Sequence, residues 1–332
     1  MLLLLGAIWG SAFVVIRAGI LAGATPFVFA ELRFLLAAAI MAVVARAAHQ
    51  PMPPWRALAP SVLIGGIMMM GSYTVLVYWG ELSTPGGLAS VFVATVPLWS
   101  ALFAFGLLPT ERIGWLGLGG VLAGFLGVVA LFVPDLMRIG AAGLNGPLAI
   151  VGAALLFSVG SVVLRRLRRG QEGYWSISLQ FTVTALIVLP FMAWDLPSES
   201  FPVTALTVGS LVYLAAGSSA FGIILYYTLH HRVGPSRANI VTYVSPAVGL
   251  ALGIGLLGET LVPLEVVGFL LILGGVGLLH RDRLRREALA RLRAPAPTTA
   301  TGPVGATGSP LAGPPHPGEE TQAAGSPAGP NR

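Results

Sequence analysis

The chain has 332 residues, 55% of them hydrophobic and only 10% charged, with a formal net charge of +6. A soluble domain carries roughly 25% charged residues, so water could not cover this much apolar surface, and the composition is that of a membrane protein. There is no Cys, and all 19 basic residues are Arg. This removes disulfides, thiolate metal sites, a P-loop lysine and Schiff-base chemistry. The positive charge falls between apolar blocks, which argues against nucleic acid as a partner.

A helix needs about 20 mostly apolar residues to cross a bilayer. Ten such blocks follow in order: Leu2–Leu21, Phe27–Ala48, Ala57–Gly80, Gly87–Leu107, Ile113–Val133, Gly146–Arg165, Trp175–Trp194, Ala205–Leu229, Ser236–Leu257 and Val262–His280. Turn formers such as Pro51-Met52-Pro53-Pro54 and Thr84-Pro85-Gly86 separate them. The blocks are continuously apolar, so an alternating β-barrel does not fit. The first has no basic leader or cleavage signature and is expected to be a retained helix. The predicted fold class is therefore an all-α integral membrane protein with ten transmembrane helices.

The arginines orient it. With the N-terminus inside, 15 Arg fall in cytoplasmic segments and Arg138 alone falls outside. Both termini are then cytoplasmic. Arg281–Arg293 forms a basic juxtamembrane segment, suited to stopping transfer or to lying on anionic lipid. Residues 294–332 are rich in Pro, Gly, Ala, Ser and Thr without an apolar period, and read as a disordered tail.

The chain also repeats itself. A shift of 148 residues sets Arg17 on Arg165, Trp9 on Phe157, Gly86 on Gly234, Glu111 on Glu259, Gly120 on Gly268 and Gly127 on Gly275. Pro97 and Pro246 align after one further residue. The copies, residues 2–133 and 146–280, hold five spans each. An odd number makes the second copy enter from the opposite side. Such inverted repeats belong to secondary transporters working by alternating access about a midplane site.

The sequence resembles the EamA-type family of the drug/metabolite transporter superfamily. The resemblance is carried by Trp9-Gly10-Ser11-Ala12-Phe13, Leu32-Arg33-Phe34, Gly234-Pro235-Ser236-Arg237-Ala238-Asn239, Tyr243, Pro246 and Gly258-Glu259. Pro109-Thr110-Glu111 departs from it, where a Gly-Glu pair is more usual. The resemblance implies two five-helix EamA-like repeats in a bacterial inner (plasma) membrane, with a cavity lined by spans 1, 3, 4, 6, 8 and 9. It implies efflux of small metabolites, amino acids or drugs, without a cofactor. An importer of the same fold and a non-transporting receptor or scaffold are the alternatives. The expected partners are a small-molecule solute and membrane lipid.

Polar groups at mid-span are the cavity candidates: Trp9, Ser11, Tyr73, Trp99, Ser158, Ser218, Asn239 and Tyr243. Aromatics with a polar tip suit an amphipathic wall. A Ser in a membrane helix more commonly bonds its own backbone or a neighbour. Arg17, Glu31 and Arg33 form a charged cluster toward the outer face. They are read either as an Arg17–Glu31 pair that steadies the first hairpin, or as an outer gate with a cation for a substrate carboxylate. Glu111 and Glu259, at the N-termini of spans 5 and 10, are read as caps or packing elements and not as proton carriers. Pro97 and Pro246 are matched hinge candidates, or static kinks. Gly120-x-x-x-Gly124 and Gly249-x-x-x-Gly253 mark close packing, either internal or at a homodimer seam. No catalytic constellation appears, so the chain is not expected to be an enzyme. The five His offer no metal site.

Overall fold

The computed structural model describes residues 1–108, 113–139, 143–167, 173–195, 201–233 and 241–293. Among these every regular element is helical: α1 Leu2–Leu21, α2 Pro26–Ala47, α3 Trp55–Ile64, α4 Ser72–Gly80, α5 Gly86–Val93, α6 Val96–Leu107, α7 Trp115–Ile139, α8 Asn145–Arg166, α9 Gly173–Asp195, α10 Ala205–Val212, α11 Gly222–Val233, α12 Val241–Leu257 and α13 Pro263–Arg293. Two π-helical segments, Gly65–Gly71 and Tyr213–Phe221, join α3 to α4 and α10 to α11 into single runs. Nine helical runs among the described residues are long and apolar enough to cross a membrane. The expected ninth span, Ser236–Leu257, is described only from Val241, as a 17-residue apolar helix. Contacts divide the chain into Met1–Leu289 and Ala290–Arg332; of the second unit only 290–293, the end of α13, are described.

Local chemistry explains the helix starts. Pro26 opens α2, and Pro54 and Pro85 directly precede α3 and α5. A proline there sacrifices no hydrogen bond, because the first turn's N–H groups have no intrahelical acceptor. Thr204 caps α10 in a reciprocal box with Thr207. Gly258, at φ +65°, turns the chain between α12 and α13 in a conformation that side chains resist.

Three elements differ from the sequence reading. The fourth span is not one helix: it breaks at Ala94-Thr95, and Pro97 sits in the first turn of α6. Its expected counterpart Pro246 lies inside an unbroken α12. The two prolines therefore act differently, one following a break and the other interrupting a ladder. Finally, α13 does not stop at His280. It continues as one helix through the basic segment to Arg293.

Packing joins distant parts of the chain. α1 lies along α12, α2 along α9, and α8 against α4 and α6. Phe92, Leu98, Ile150 and Ile272 share one buried core. α7 and α13 meet through glycine. A Cβ on Gly120 would lie 2.5 Å from the Gly275 carbonyl, and one on Gly127 2.6 Å from that of Gly268. The order along one helix reverses along the other, so the two run antiparallel in backbone contact. The contacts are also crossed with respect to the 148-residue register, which sets Gly120 on Gly268 and Gly127 on Gly275. A second pair behaves likewise. Gly10 abuts the Ser245 carbonyl, while Ser158, the residue in register with Gly10, donates to the Val96 carbonyl at 3.0 Å. The π-helical segments start at Gly65 and Tyr213, again 148 residues apart. The Gly120/Gly124 and Gly249/Gly253 stripes are spent on contacts within the chain: Gly124 faces Leu98, Gly249 faces Ser90 and Gly10, and Gly253 faces Glu259.

Gly120→Ala must push two helices apart, whereas a Cβ on the neighbouring Gly119 meets nothing within 4 Å. We expect Gly120→Ala to destabilise the fold by about 1–3 kcal/mol, the usual cost of overpacking, and Gly119→Ala to leave it unchanged or improve it. Thermal melting of the two variants in detergent measures the difference.

Candidate functional site

The polar candidates fall into two groups. The first surrounds the π-helical segment Tyr213–Phe221. Trp9 Nε1 donates to the Ser218 carbonyl at 3.3 Å, and its ring packs 5.2 Å from that of Tyr226. The Ser11 hydroxyl lies 2.5 Å from that of Tyr213, while also donating to its own helix at Ala7. Arg33 Nε donates to the Ser219 hydroxyl at 3.0 Å, and its Nη1 to the Tyr78 hydroxyl at 3.3 Å. A π-helical turn displaces the regular backbone ladder and is common at functional sites. Here it carries the polar atoms that meet α1 and α2. Arg33 thus bridges three helical runs from a half-buried position, with an aromatic hydroxyl and a serine on its two sides.

The second group lines the core around Phe92 and Ile150. Tyr73, Trp99 and Tyr243 pack against that core as partly buried rings. Tyr73 meets Phe157 edge-on at 5.8 Å, and Trp99 meets Phe125 at 4.6 Å. Trp99 Nε1 is satisfied by the Thr95 hydroxyl at 3.2 Å. Ser158 is fully buried and donates to the carbonyls of Ala154 and Val96. The Tyr243 hydroxyl is buried without a hydrogen-bond partner. An unpaired buried hydroxyl is costly. Asn239 and Glu111 lie outside the described residues.

The charged cluster is arranged differently from the expectation. Arg17 does not pair with Glu31. Its guanidinium donates to the backbone carbonyls of Glu81 and Leu82, the latter at 3.0 Å, in the turn after α4. Those carbonyls are the unpaired acceptors of a helix end, so a cation belongs there. Glu31 is buried, with Oε2 unpartnered. Of the three, Arg33 points to the π-helical segment and Arg17 to the turn, so they form no single constellation.

Glu259 works as a packing element between helices. It does not cap its own helix, where Glu265 accepts from Val262 instead. Its carboxylate reaches the N-terminus of α5 and accepts from the backbone N–H groups of Gly86 at 2.7 Å and Gly87 at 2.9 Å. A Cβ on Gly87 would lie 2.6 Å from Glu259 Oε2, so glycine there makes room for the carboxylate. Asp282 does a similar task elsewhere, accepting from the Gly114 N–H at 2.8 Å and pairing with Arg286 at 2.9 Å.

Sequence reasoning missed Glu81. It looks like any acid at the end of an apolar block. In the structure its side chain is fully buried, and neither carboxyl oxygen has a hydrogen-bond partner. Burial pushes its carboxyl well above the usual carboxylate range; Arg17 and Arg33 pull it down, and Glu259 pushes it further up. Tyr213 and Tyr78 were missed too, since nothing in a periodic apolar block singles them out. A groove of about 260 Å³ opens beside Tyr213, lined by Val15, Leu206, Gly209 and Ser210. Among the described residues no cluster of His, Asp or Glu could hold a metal ion.

The family model for the EamA-like transporter family matches residues 1–133 and 144–281. The chain belongs to the EamA-like transporter family. Its EamA-like sequence is 30% identical over 284 residues to a protein of Streptantibioticus cattleyicolor named as a probable terminal-alkyne amino-acid exporter, covering 84% of this chain and 93% of that one. It is 29% identical to the uncharacterized inner membrane transporter YedA of Escherichia coli, covering 78% and 82%. It is 28% identical to a probable amino-acid metabolite efflux pump of Salmonella typhimurium, covering 86% and 96%. A solved crystal structure shares the fold at a TM-score of 0.60 and 21% identity, covering 86% of this chain and 97% of that one. These findings make the EamA-like chain a multi-pass membrane transporter and point away from an enzyme.

Ser11 and Tyr213 are joined by a hydrogen bond between separate helices. A double-mutant cycle of Ser11→Ala and Tyr213→Phe is expected to give a coupling of about 0.6 kcal/mol, typical of such bonds within membranes. Denaturation of the four proteins in mixed micelles reads it.

Proposed function

We propose that the chain is a secondary exporter of small organic solutes in the inner membrane. It is built as two inverted five-helix repeats, ten spans in all, with both termini in the cytoplasm. The observation that carries this reading is the crossed glycine contact between α7 and α13. If a two-fold axis in the membrane plane relates the copies, a contact from Gly120 to Gly275 must be accompanied by one from Gly268 to Gly127, and both are present. An axis along the membrane normal would leave the two helices parallel. The Gly10–Ser245 and Ser158–Val96 contacts and the equally spaced π-helical segments support the same relation. Two pseudo-equivalent halves rocking about a shared centre give alternating access.

The solute site is proposed to draw on both polar groups. Arg33 with Tyr78 and Ser219 supplies a cation and hydroxyls for a carboxylate, and Trp9, Tyr73, Trp99 and Tyr243 supply apolar walls with polar tips. The names of the relatives from Streptantibioticus and Salmonella favour amino acids and their derivatives as cargo, and efflux as the direction.

Purified protein in liposomes should exchange radiolabelled amino acids. Arg33→Gln should lower that exchange by about tenfold or more, since hydrogen bonds to charged groups contribute about 1.5–3 kcal/mol. Arg17→Gln removes the cation from the turn after α4 and should lower stability. Accumulation in inside-out but not right-side-out vesicles reads export; the reverse reads import. Absence of exchange across a broad amino-acid panel would refute the cargo class.

A further inference from the structure

The turn between α4 and α5 holds three buried polar atoms without a hydrogen-bond partner: both carboxyl oxygens of Glu81, and the hydroxyl of Thr84. Glu81 is fully buried, and Thr84 is 1% exposed. A cation stands beside them, yet Arg17 is spent on the carbonyls of Glu81 and Leu82 and does not reach the carboxylate. A buried ionised carboxylate with neither cation nor donor is strongly unfavourable, whereas a neutral carboxyl in the same place costs far less. The turn as folded therefore suits the protonated acid.

The groups that bear on Glu81 come from every side. Arg17 approaches from α1, Arg33 from α2, Tyr73 and Tyr78 from the helical run ending at Gly80, and Glu259 from the turn after α12. α8 meets this turn with Gly146, whose added Cβ would strike the hydroxyls of Ser83 and Thr84. Glu259 is the one acid here that is satisfied, by the N–H groups of Gly86 and Gly87. It clasps α5 from the other half of the chain and so closes this end of the bundle over Glu81.

We propose that Glu81 is a proton-binding site that couples opening of this end of the bundle to the proton gradient. With the Glu259 clasp closed, Glu81 holds a proton. When the clasp parts, water enters the turn, the proton leaves to that water, and the freed Arg17 stabilises the carboxylate left behind. The sign follows from linkage. The closed form has the higher proton affinity, so it is favoured at low pH and gives way as pH rises through the carboxyl's titration. This inference rests on the alternating-access reading above. Glu31, the other buried acid with an unpartnered oxygen among the described residues, serves as the control.

The chain contains no cysteine, so single-cysteine reporters carry no background. Thr84→Cys places a thiol in the sealed turn, and Ser83→Cys places one at its exposed neighbour. The full-length chain in lipid nanodiscs is labelled with a water-soluble maleimide from acid to mildly alkaline pH. Each rate is divided by the thiolate fraction from that cysteine's own titration, because burial beside Glu81 shifts the Thr84→Cys thiol relative to the Ser83→Cys thiol, and the ratio of the corrected rates is followed. The expected ratio climbs with pH by up to about tenfold per pH unit, the limit for one proton. It goes flat in Glu81→Gln and is unchanged in Glu31→Gln. Glu259→Gln raises it at every pH. If Glu81→Gln does not assemble, Glu81→Asp decides: a displaced midpoint supports the site, and an unmoved one overturns it. A flat ratio in the parent, or a slope that survives Glu81→Gln, also overturns it. The labelling needs no solute, so the two readings fail separately. A chain that titrates but carries no solute sinks transport, and one that carries amino acids with flat labelling sinks the proton site alone.

Discussion

Inside a lipid bilayer, helices gain little from hiding apolar surface from one another, so the bundle depends on how closely backbones can approach. In this chain that approach is made by glycine. Gly120 and Gly127 on one helix lie on the carbonyls of Gly275 and Gly268 on another, and Gly10 lies on that of Ser245. Each contact joins the first half of the sequence to the second. The close seams therefore hold together helices that are distant in sequence.

Polar atoms are distributed to suit that arrangement. Several serine and threonine hydroxyls within the helices return to their own backbone, as Ser161, Thr182 and Thr228 do. Such bonds satisfy the hydroxyl without committing a neighbour. Side-chain bonds between separate helices gather around the π-helical segment Tyr213–Phe221, where Trp9, Ser11 and Arg33 all find partners. A wider helical turn exposes acceptors that a regular α-helix would keep in its ladder. The break at Ala94-Thr95 offers similar freedom on the opposite side, beside Ser158 and Trp99. Irregular backbone thus lies near the polar groups that a solute would need.

At the turn after α4 the same physics works in reverse. Arg17 and Glu259 are both occupied with backbone groups, one with helix-end carbonyls and the other with helix-start N–H groups. Each is the charge that the local helix dipole prefers. Glu81 lies between them without a donor of its own, so its neutral form matches the closed turn.

Length, composition and hydrophobic blocks were enough to establish a multi-spanning helical protein, because a bilayer demands long uninterrupted apolar segments and those are visible in one dimension. Gly120 was legible as a close-packing site through its spacing from Gly124, whereas Gly127, Gly268 and Gly275 stood out only as matched positions of the repeat. What each touched was not legible. The 148-residue register aligns Gly120 with Gly268, yet the contact runs to Gly275, and only the antiparallel crossing of two helices decides that. Arg17 and Glu31 looked like a pair because they are near in sequence and opposite in charge; the folded chain offered Arg17 two helix-end carbonyls instead. Glu259 found the start of a helix from the other half rather than its own. Glu81 carried no signal at all, because burial depends on what distant segments lie over a residue, and a linear chain does not record that.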